Sequence, residues 1–185
     1  MGSGDGGRPA AAETAELLAV AAAAIDGPGR PLAAANAALP VPERPHLTAW
    51  QSLTTLREHR GDGHNAALLQ RGISGVGAHA LAAAAERTDK EWLMRARGWD
   101  DDAWDTAAEE LADRGWLAGD ELTAEGAAIV AAVEADTDRL ALGPWQALGD
   151  ARCDRLAELL SPVRRAVVAA GTWPDRNPIG APELH

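Results

Sequence analysis

One stretch of the chain, residues 88–123, carries closely spaced signals for helix starts, helix ends and a hairpin, and their order constrains the fold. Thr88-Asp-Lys-Glu91 is a capping box and predicts a first helix. Asp100 is a good N-cap for a second helix. Gly119-Asp120 is a turn-forming dipeptide that predicts a two-strand hairpin, and Thr123 then caps a third helix. The stretch therefore predicts helix, turn, helix, hairpin and helix.

The same stretch is strongly acidic. It contains four basic and eleven acidic residues, which gives a net charge of −7. The first turns of the second helix (101–114) present Asp101, Asp102 and Asp105, and the hairpin turn adds two more acids. A phosphate backbone repels such a surface, so the charge argues against DNA binding by this helix. The alternative interpretation is that these acids are favourable helix N-terminal residues on a solvated face.

Length and composition restrict the classes of protein. The 185 residues allow one domain, or one domain with attached tails, and the net charge of −11 speaks against non-specific attraction to nucleic acid or membranes. Cys153 is the single cysteine, which excludes an internal disulfide and a multi-cysteine metal site. The N-terminus lacks the apolar core of a signal peptide, and the apolar run Leu17–Ile25 is too short to cross a bilayer. We expect a cytoplasmic protein with no cofactor and no membrane partner.

The acidic stretch and the helix after it contain a recurring pattern. Its parts are Leu111-Ala-Asp-Arg-Gly-Trp-Leu, Glu121-Leu-Thr-Ala-Glu-Gly, Val133-Glu134 and Thr137-Asp138. In this order they resemble the winged helix of MarR-type regulators. The resemblance implies a dimer that binds an operator, with the helix 101–114 in the major groove and the hairpin as a wing.

A wider set of motifs runs through the chain. These are Ala34-Ala-Asn-Ala-Ala-Leu-Pro, Leu56-Arg-Glu-His-Arg-Gly-Asp-Gly-His, Arg97-Gly-Trp, Thr137-Asp138 and Pro144-Trp145. They are similar to a family of helix-turn-helix proteins from high-GC bacterial genomes, and the similarity begins at about Ala11. It implies a winged helix-turn-helix fold and assigns no catalytic residue. Members of that family look longer at the N-terminus, which implies a complementing partner chain. A homodimer is the alternative that the usual role of the fold implies.

These observations predict a mainly α fold, namely a winged helix-turn-helix with one short β-hairpin wing and additional flanking helices. The predicted organisation has five parts: a disordered N-terminus (1–10), a helical segment with a Pro-rich connector (11–45), the winged helix-turn-helix domain (46–143), a C-terminal helix (144–170) and a Pro-rich tail (171–185).

The densest polar constellation is Arg57-Glu58-His59-Arg60-Gly61-Asp62-Gly63-His64-Asn65. Its two glycines predict a turn between helices 46–60 and 64–71. Such a turn would expose backbone N–H groups at the start of the second helix, beside two arginines. We therefore expect a site for a carboxylate- or phosphate-bearing small molecule. Its expected ligand-binding residues are His46, Trp50, Arg57, His59, Arg60 and His64.

Two other interpretations of this turn stay open. In one, the turn is purely structural: Asp62 caps a helix and the arginines pair with acids. In the other it is catalytic, with His59 or His64 moving protons and Asp62 fixing a tautomer. The spacing of these three residues is not a recognised metal-ligand pattern, so we predict no metal site.

The leading hypothesis is a regulator-like winged-helix protein that binds a small anionic molecule or a partner protein, with its acidic helix arguing against nucleic acid. The first alternative is a cofactor-independent enzyme of specialised metabolism that uses the turn with His59, Asp62 and His64. The second alternative is a MarR-like DNA-binding transcriptional regulator. The sequence does not decide whether the protein is an enzyme.

Overall fold

The computed structural model describes residues 7–171. Residues 1–6 of the predicted disordered N-terminus and residues 172–185 of the predicted Pro-rich tail lie outside the described residues.

The described chain is mainly α-helical and contains one short antiparallel hairpin. Leu117 stands opposite Leu122 in the hairpin, and Ala118 stands opposite Glu121. This architecture confirms the predicted fold class, a mainly α winged helix-turn-helix with a short wing and flanking helices. Within residues 7–171 the elements are α1 (Gly7–Ala23), α2 (Pro31–Ala37), α3 (Pro45–Gln70), α4 (Gly75–Ala84), α5 (Lys90–Arg97), α6 (Asp101–Asp113), β1 (Leu117–Ala118), β2 (Glu121–Leu122), α7 (Ala124–Leu148) and α8 (Asp150–Ala169).

The helices divide into two compact units. Residues 66–135 form what we call the winged-helix unit, and residues 7–65 with 136–170 form what we call the terminal unit. Helices α3 and α7 each supply residues to both units.

Side-chain caps set the starts of the three helices in the winged-helix unit. Ser74 accepts a hydrogen bond from the Gly77 amide at the start of α4. Asp100 accepts one from the Ala103 amide at 2.8 Å, which confirms the predicted start of α6. The cap of α5 is Asp89, one residue after the predicted Thr88, because the Asp89 carboxylate reaches the amide of Trp92.

The core of the winged-helix unit consists of leucines, alanines and two tryptophans. Leu93 of α5 is fully buried, and Trp104 and Leu111 bring the inner face of α6 into the same cluster. Trp116 and Leu117 anchor the hairpin on it. Burial of these side chains stabilises the unit, since each large apolar side chain removed from water contributes about 1.5–3 kcal/mol.

The hairpin is joined to α7 through the carbonyl group of Trp116. The Thr123 amide donates to this carbonyl at 3.1 Å, and the Thr123 hydroxyl donates to the Gly115 carbonyl at 2.6 Å. The same hydroxyl accepts from the Gly126 amide and so caps α7. A Cβ atom on Gly126 would lie 2.0 Å from the Trp116 oxygen. These contacts give a physical reason for the Leu-Thr-x-x-Gly pattern in the sequence.

The terminal unit has its own core. Leu18 and Ala21 of α1 are fully buried and cluster with Leu56, Leu148 and Leu156. Outside this core, the Arg155 guanidinium of α8 donates two hydrogen bonds to the carboxylate of Glu13 on α1, at 2.7 and 2.8 Å. This pair is half-exposed, so the apolar cluster supplies most of the stabilisation.

The predicted helix break at residues 61–63 is wrong, and a Gly-Pro pair later in the chain does not end its helix either. The Gly61-Asp-Gly63 sequence lies inside the continuous helix α3, and Gly143-Pro144 lies inside α7. A glycine in a helix costs about 1 kcal/mol and a proline about 3 kcal/mol. Pro144 is fully buried, and the chain turns instead at Gly149, whose φ is 83°. Tertiary packing therefore outweighs the local preference of these residues.

Replacing Gly126 by alanine tests the junction at Trp116. The new Cβ would overlap a backbone oxygen that cannot rotate away, so the hairpin or α7 would have to shift. We expect the Gly126→Ala protein to lose about 2–3 kcal/mol of unfolding free energy. Urea unfolding followed by far-ultraviolet circular dichroism measures this loss. An unchanged midpoint would contradict the close approach.

Candidate functional site

The predicted polar site lies on a helix and not at a turn. His59, Asp62 and His64 all belong to α3, so the prediction that they form a turn is wrong. Because residues 59–64 lie in the interior of a helix, they offer no free N-terminal amides for an anion. Five residues separate the two histidines, which sets their side chains about 140° apart around the helix axis.

Asp62 is a cap, but for a distant helix. Its side chain is buried, and Oδ2 accepts hydrogen bonds from the amides of Leu32 (3.0 Å) and Ala33 (2.9 Å). These amides open α2, whose own N-cap residue, Arg30, makes no side-chain capping bond. The structural interpretation of Asp62 as a cap thus holds for α2 and not for a helix starting at His64.

The Arg30 side chain packs against α3 beside Asp62. The sequence did not predict this contact. The residue is 9% exposed, and its guanidinium donates to the carbonyls of His59 (2.5 Å) and Leu140 (2.8 Å). It passes so close to Gly63 that a Cβ there would lie 2.9 Å from Nη1. An arginine in a Gly-Pro-rich loop gave no signal of this role, because its partners are backbone carbonyls far away in sequence.

His59 is the most enclosed ionisable side chain of this cluster. It is 2% exposed, and its Nε2 has no hydrogen-bond partner among the described residues. Burial lowers the pKa of His59, and the charge of Arg30 lowers it further, while Asp26 and Asp62 act in the opposite direction. The lowered pKa favours the neutral form of the ring in the folded protein.

The sequence motifs around His64 and Thr137 meet in the terminal unit. Nδ1 of His64 lies 3.0 Å from the hydroxyl oxygen of Thr137, which is fully buried. One residue further along α7, the Asp138 carboxylate accepts a hydrogen bond from Arg60 at 3.1 Å. These contacts join the polar constellation of α3 to the Thr137-Asp138 motif of α7.

The six predicted ligand-binding residues occupy two faces of α3. Helical spacing puts His46, Trp50, Arg57, Arg60 and His64 on one face and the buried His59 on another. On the first face, Trp50 is 74% exposed, and Arg57 forms an ion pair with the neighbouring Glu58. Ligand binding by these residues stays a prediction.

A second candidate site is the outer face of α6, the helix that follows the turn of the helix-turn-helix. We call it the acidic face. All six of its carboxylates are on exposed side chains, α6 has no basic residue, and none of the six forms an ion pair within residues 7–171. The acidic face consists of Asp101, Asp102, Asp105, Glu109, Glu110 and Asp113.

The basic residues around the acidic face interact with other groups of the same chain. Arg114 stacks 3.5 Å above the Trp116 ring and donates to the carbonyls of Arg71 and Gly72. Lys90 lies over the Trp104 ring, and Arg87 pairs with Glu134 at 2.9 Å. Residues 66–135 contain six basic and fourteen acidic residues, so these cations do not reverse the sign of the surface.

The fold and this helix-turn-helix arrangement define a class of protein. The chain belongs to a helix-turn-helix family, whose model matches residues 2–174. Searches of the curated proteins and of the solved structures gave no significant match. In the part of the chain that the structure describes, no helix is long and apolar enough to span a membrane. The same residues contain no group of three or more His, Cys, Asp or Glu side chains placed to hold a metal ion.

A pair of glycine variants in α3 tests the close packing of the Arg30 guanidinium against this helix. Gly63→Ala places a Cβ against the Arg30 guanidinium and 3.2 Å from Leu140 Cβ, whereas Gly61→Ala meets no atom closer than 3.8 Å. We expect Gly63→Ala to lower the unfolding free energy by about 1–3 kcal/mol. Gly61→Ala is the matched control and is expected to raise it by up to about 1 kcal/mol, because alanine favours the helix. Equal effects in chemical denaturation would contradict the close packing.

The pH dependence of stability tests the burial of His59. A histidine whose pKa is lowered by folding binds its proton more readily in the unfolded chain. Stability is therefore highest above the unfolded pKa of about 6.5 and is lost as the pH falls towards the folded pKa. The slope from one histidine is at most about 1.4 kcal/mol per pH unit.

We expect His59→Gln to lose less stability between neutral and mildly acidic pH than the parent chain. His46→Gln, a change at an exposed residue of the same helix, is the control and should keep the parental dependence. Urea denaturation at a series of pH values measures both. A parental slope in the His59 variant would show that His59 is not the titrating group.

Proposed function

We propose that this helix-turn-helix protein is a regulator-like binding module that docks a basic surface of a partner protein through the acidic face of α6 and the wing. One observation carries this proposal. The helix that reads DNA in the usual use of the fold here presents six exposed carboxylates and no cation. The family membership and the resemblance to MarR-type regulators support the regulator-like architecture, and the charge supports a different target.

Electrostatics distinguishes the two possible binding targets, which are DNA and a basic protein surface. Proteins gain affinity for DNA when lysines and arginines replace the counterions around the phosphates, and carboxylates cannot do so. The wing repeats the sign of α6, since Asp120 and Glu121 are both exposed. A basic protein surface is instead attracted over several ångströms and oriented by the same charges.

The structure also bears on the choice between a protein partner and a small anion. An anion site at the polar constellation of α3 would need free cations and free amides. Arg57 already pairs with Glu58, and Arg60 already donates to Asp138. The amides of residues 59–64 lie inside a helix. These observations favour the protein partner.

The catalytic alternative would use His59 or His64 as a proton carrier, with Asp62 fixing a tautomer. His59 is 2% exposed, so a substrate could not reach it in this state, and Nδ1 of His64 already lies 3.0 Å from the hydroxyl oxygen of Thr137. This burial gives the binding role more support than proton transfer.

The proposal is tested by comparing two probes on the full chain. One is a labelled duplex DNA of random sequence, and the other is a labelled nona-arginine peptide that represents a basic partner surface. At low salt, about 50 mM, we expect the peptide to bind and the DNA to give no measurable complex by fluorescence anisotropy. DNA binding tighter than peptide binding would overturn the proposal.

Charge-reversal variants locate the binding surface. Asp105→Lys with Glu109→Lys changes the acidic face, and we expect about tenfold weaker peptide binding. Glu16→Lys with Asp154→Lys makes the same change in charge at exposed residues of α1 and α8 and is expected to weaken it by no more than about threefold. Equal losses would show that net charge, and not the face of α6, attracts the peptide.

A further inference from the structure

A shallow open groove of about 340 Å³ lies between the start of α4 and α6. Its volume is at the lower end of the roughly 300–1,000 Å³ that small-molecule sites occupy. Apolar side chains form its inner part, with Ala107 buried and Val76 and Ala103 half-buried. Exposed polar side chains form its edge: Ser74, Asp102, Thr106 and Glu110.

The two carboxylates of the groove stand at opposite ends of its α6 side. Asp102 and Glu110 are eight residues apart, which corresponds to about 12 Å along the helix axis. Between them, α6 contributes Ala103, Thr106 and Ala107 to the lining. Within residues 7–171 neither carboxylate is paired with a basic side chain. The groove thus combines a narrow apolar floor with a negative charge at each end.

We infer that this groove anchors an arginine side chain of the basic partner segment. The inference rests on the proposed protein-binding function and adds the position of the anchor and the residue type that it selects. The aliphatic stem of the arginine lies on Val76, Ala103 and Ala107, since long cationic side chains bury their methylene groups on apolar surface. The guanidinium binds the carboxylate of Asp102 or Glu110 in the bidentate geometry that suits this pair of groups.

The polarity of the edge argues against other occupants. An apolar side chain would bury part of a carboxylate without replacing its hydrogen bonds to water, which is unfavourable. A phosphate or carboxylate group would meet two like charges. Arginine suits both the apolar floor and the carboxylates of the groove. It is also among the residues that contribute most to binding at protein interfaces.

Two double variants of equal charge test the anchor with the labelled nona-arginine peptide. Asp102→Asn with Glu110→Gln removes both groove carboxylates, and Asp105→Asn with Glu109→Gln removes two carboxylates of the acidic face that do not line the groove. We expect about tenfold weaker binding from the groove variant. The variant outside the groove should weaken binding by about threefold at most.

A second pair of variants leaves the charge unchanged. Ala103→Phe fills the groove, whereas Ala112→Phe adds the same side chain at an exposed position of α6 outside it. We expect the first change to weaken peptide binding several-fold and the second to leave it unaltered. Thermal unfolding confirms that each variant folds, and the nearly isosteric amide variants test the anchor even if the phenylalanine variant does not fold.

The outcomes separate the anchor from the function on which it rests. Equal losses in both double variants overturn the groove and leave the protein-binding function standing, and so does normal binding by a folded Ala103→Phe protein. A parent chain that does not bind the peptide at low salt overturns the proposed function itself. A nona-lysine peptide that binds as tightly as nona-arginine overturns the choice of arginine.

Discussion

In the winged-helix unit, the hairpin and α7 meet at the carbonyl group of Trp116. It accepts the Thr123 amide, and it lies so near Gly126 that a side chain at that position would overlap it. Leu117 and Leu122 face each other directly beyond this junction, so the junction also sets the register of the hairpin. On its other side the ring of Trp116 is buried in the core and covered by the Arg114 guanidinium. The wing and α6 are therefore positioned by the same tryptophan.

The sequence was sufficient where the signals were local. Asp100 and Thr123 cap the helices that they were predicted to cap, and Gly119-Asp120 turns the hairpin, because these bonds form within a few residues. It was insufficient where distant contacts outweigh local preference. The glycines at 61 and 63 predicted a turn, yet α3 continues through them. Gly63 leaves room for Arg30, and the Asp62 carboxylate binds amides about thirty residues earlier in the chain.

The candidate site was predictable to the same degree. Sequence alone identified the polar constellation of α3, but not its geometry or its contacts with Thr137 and Asp138. The geometry depended on Arg30 and on the side of α3 to which His59 belongs, and neither has a local sequence signal. The acidity of α6, by contrast, was evident from residue types alone. The structure adds that all six carboxylates are exposed, and that nearby Lys90, Arg87 and Arg114 have internal contacts. Fold and charge thus favour different binding partners, and our proposal follows the charge, since it acts at the contacting surface.

The cap that Asp62 provides has a consequence for how the terminal unit assembles. Helix α2 starts with a proline and has seven residues. A helix of this length is too short to persist alone in water. Among residues 7–171, the amides of Leu32 and Ala33 bind a carboxylate from the middle of α3, and the Arg30 guanidinium donates to carbonyls of α3 and α7. We therefore expect α2 to form after α3 and α7 during folding, and its amide hydrogens to exchange together with those at the centre of α3.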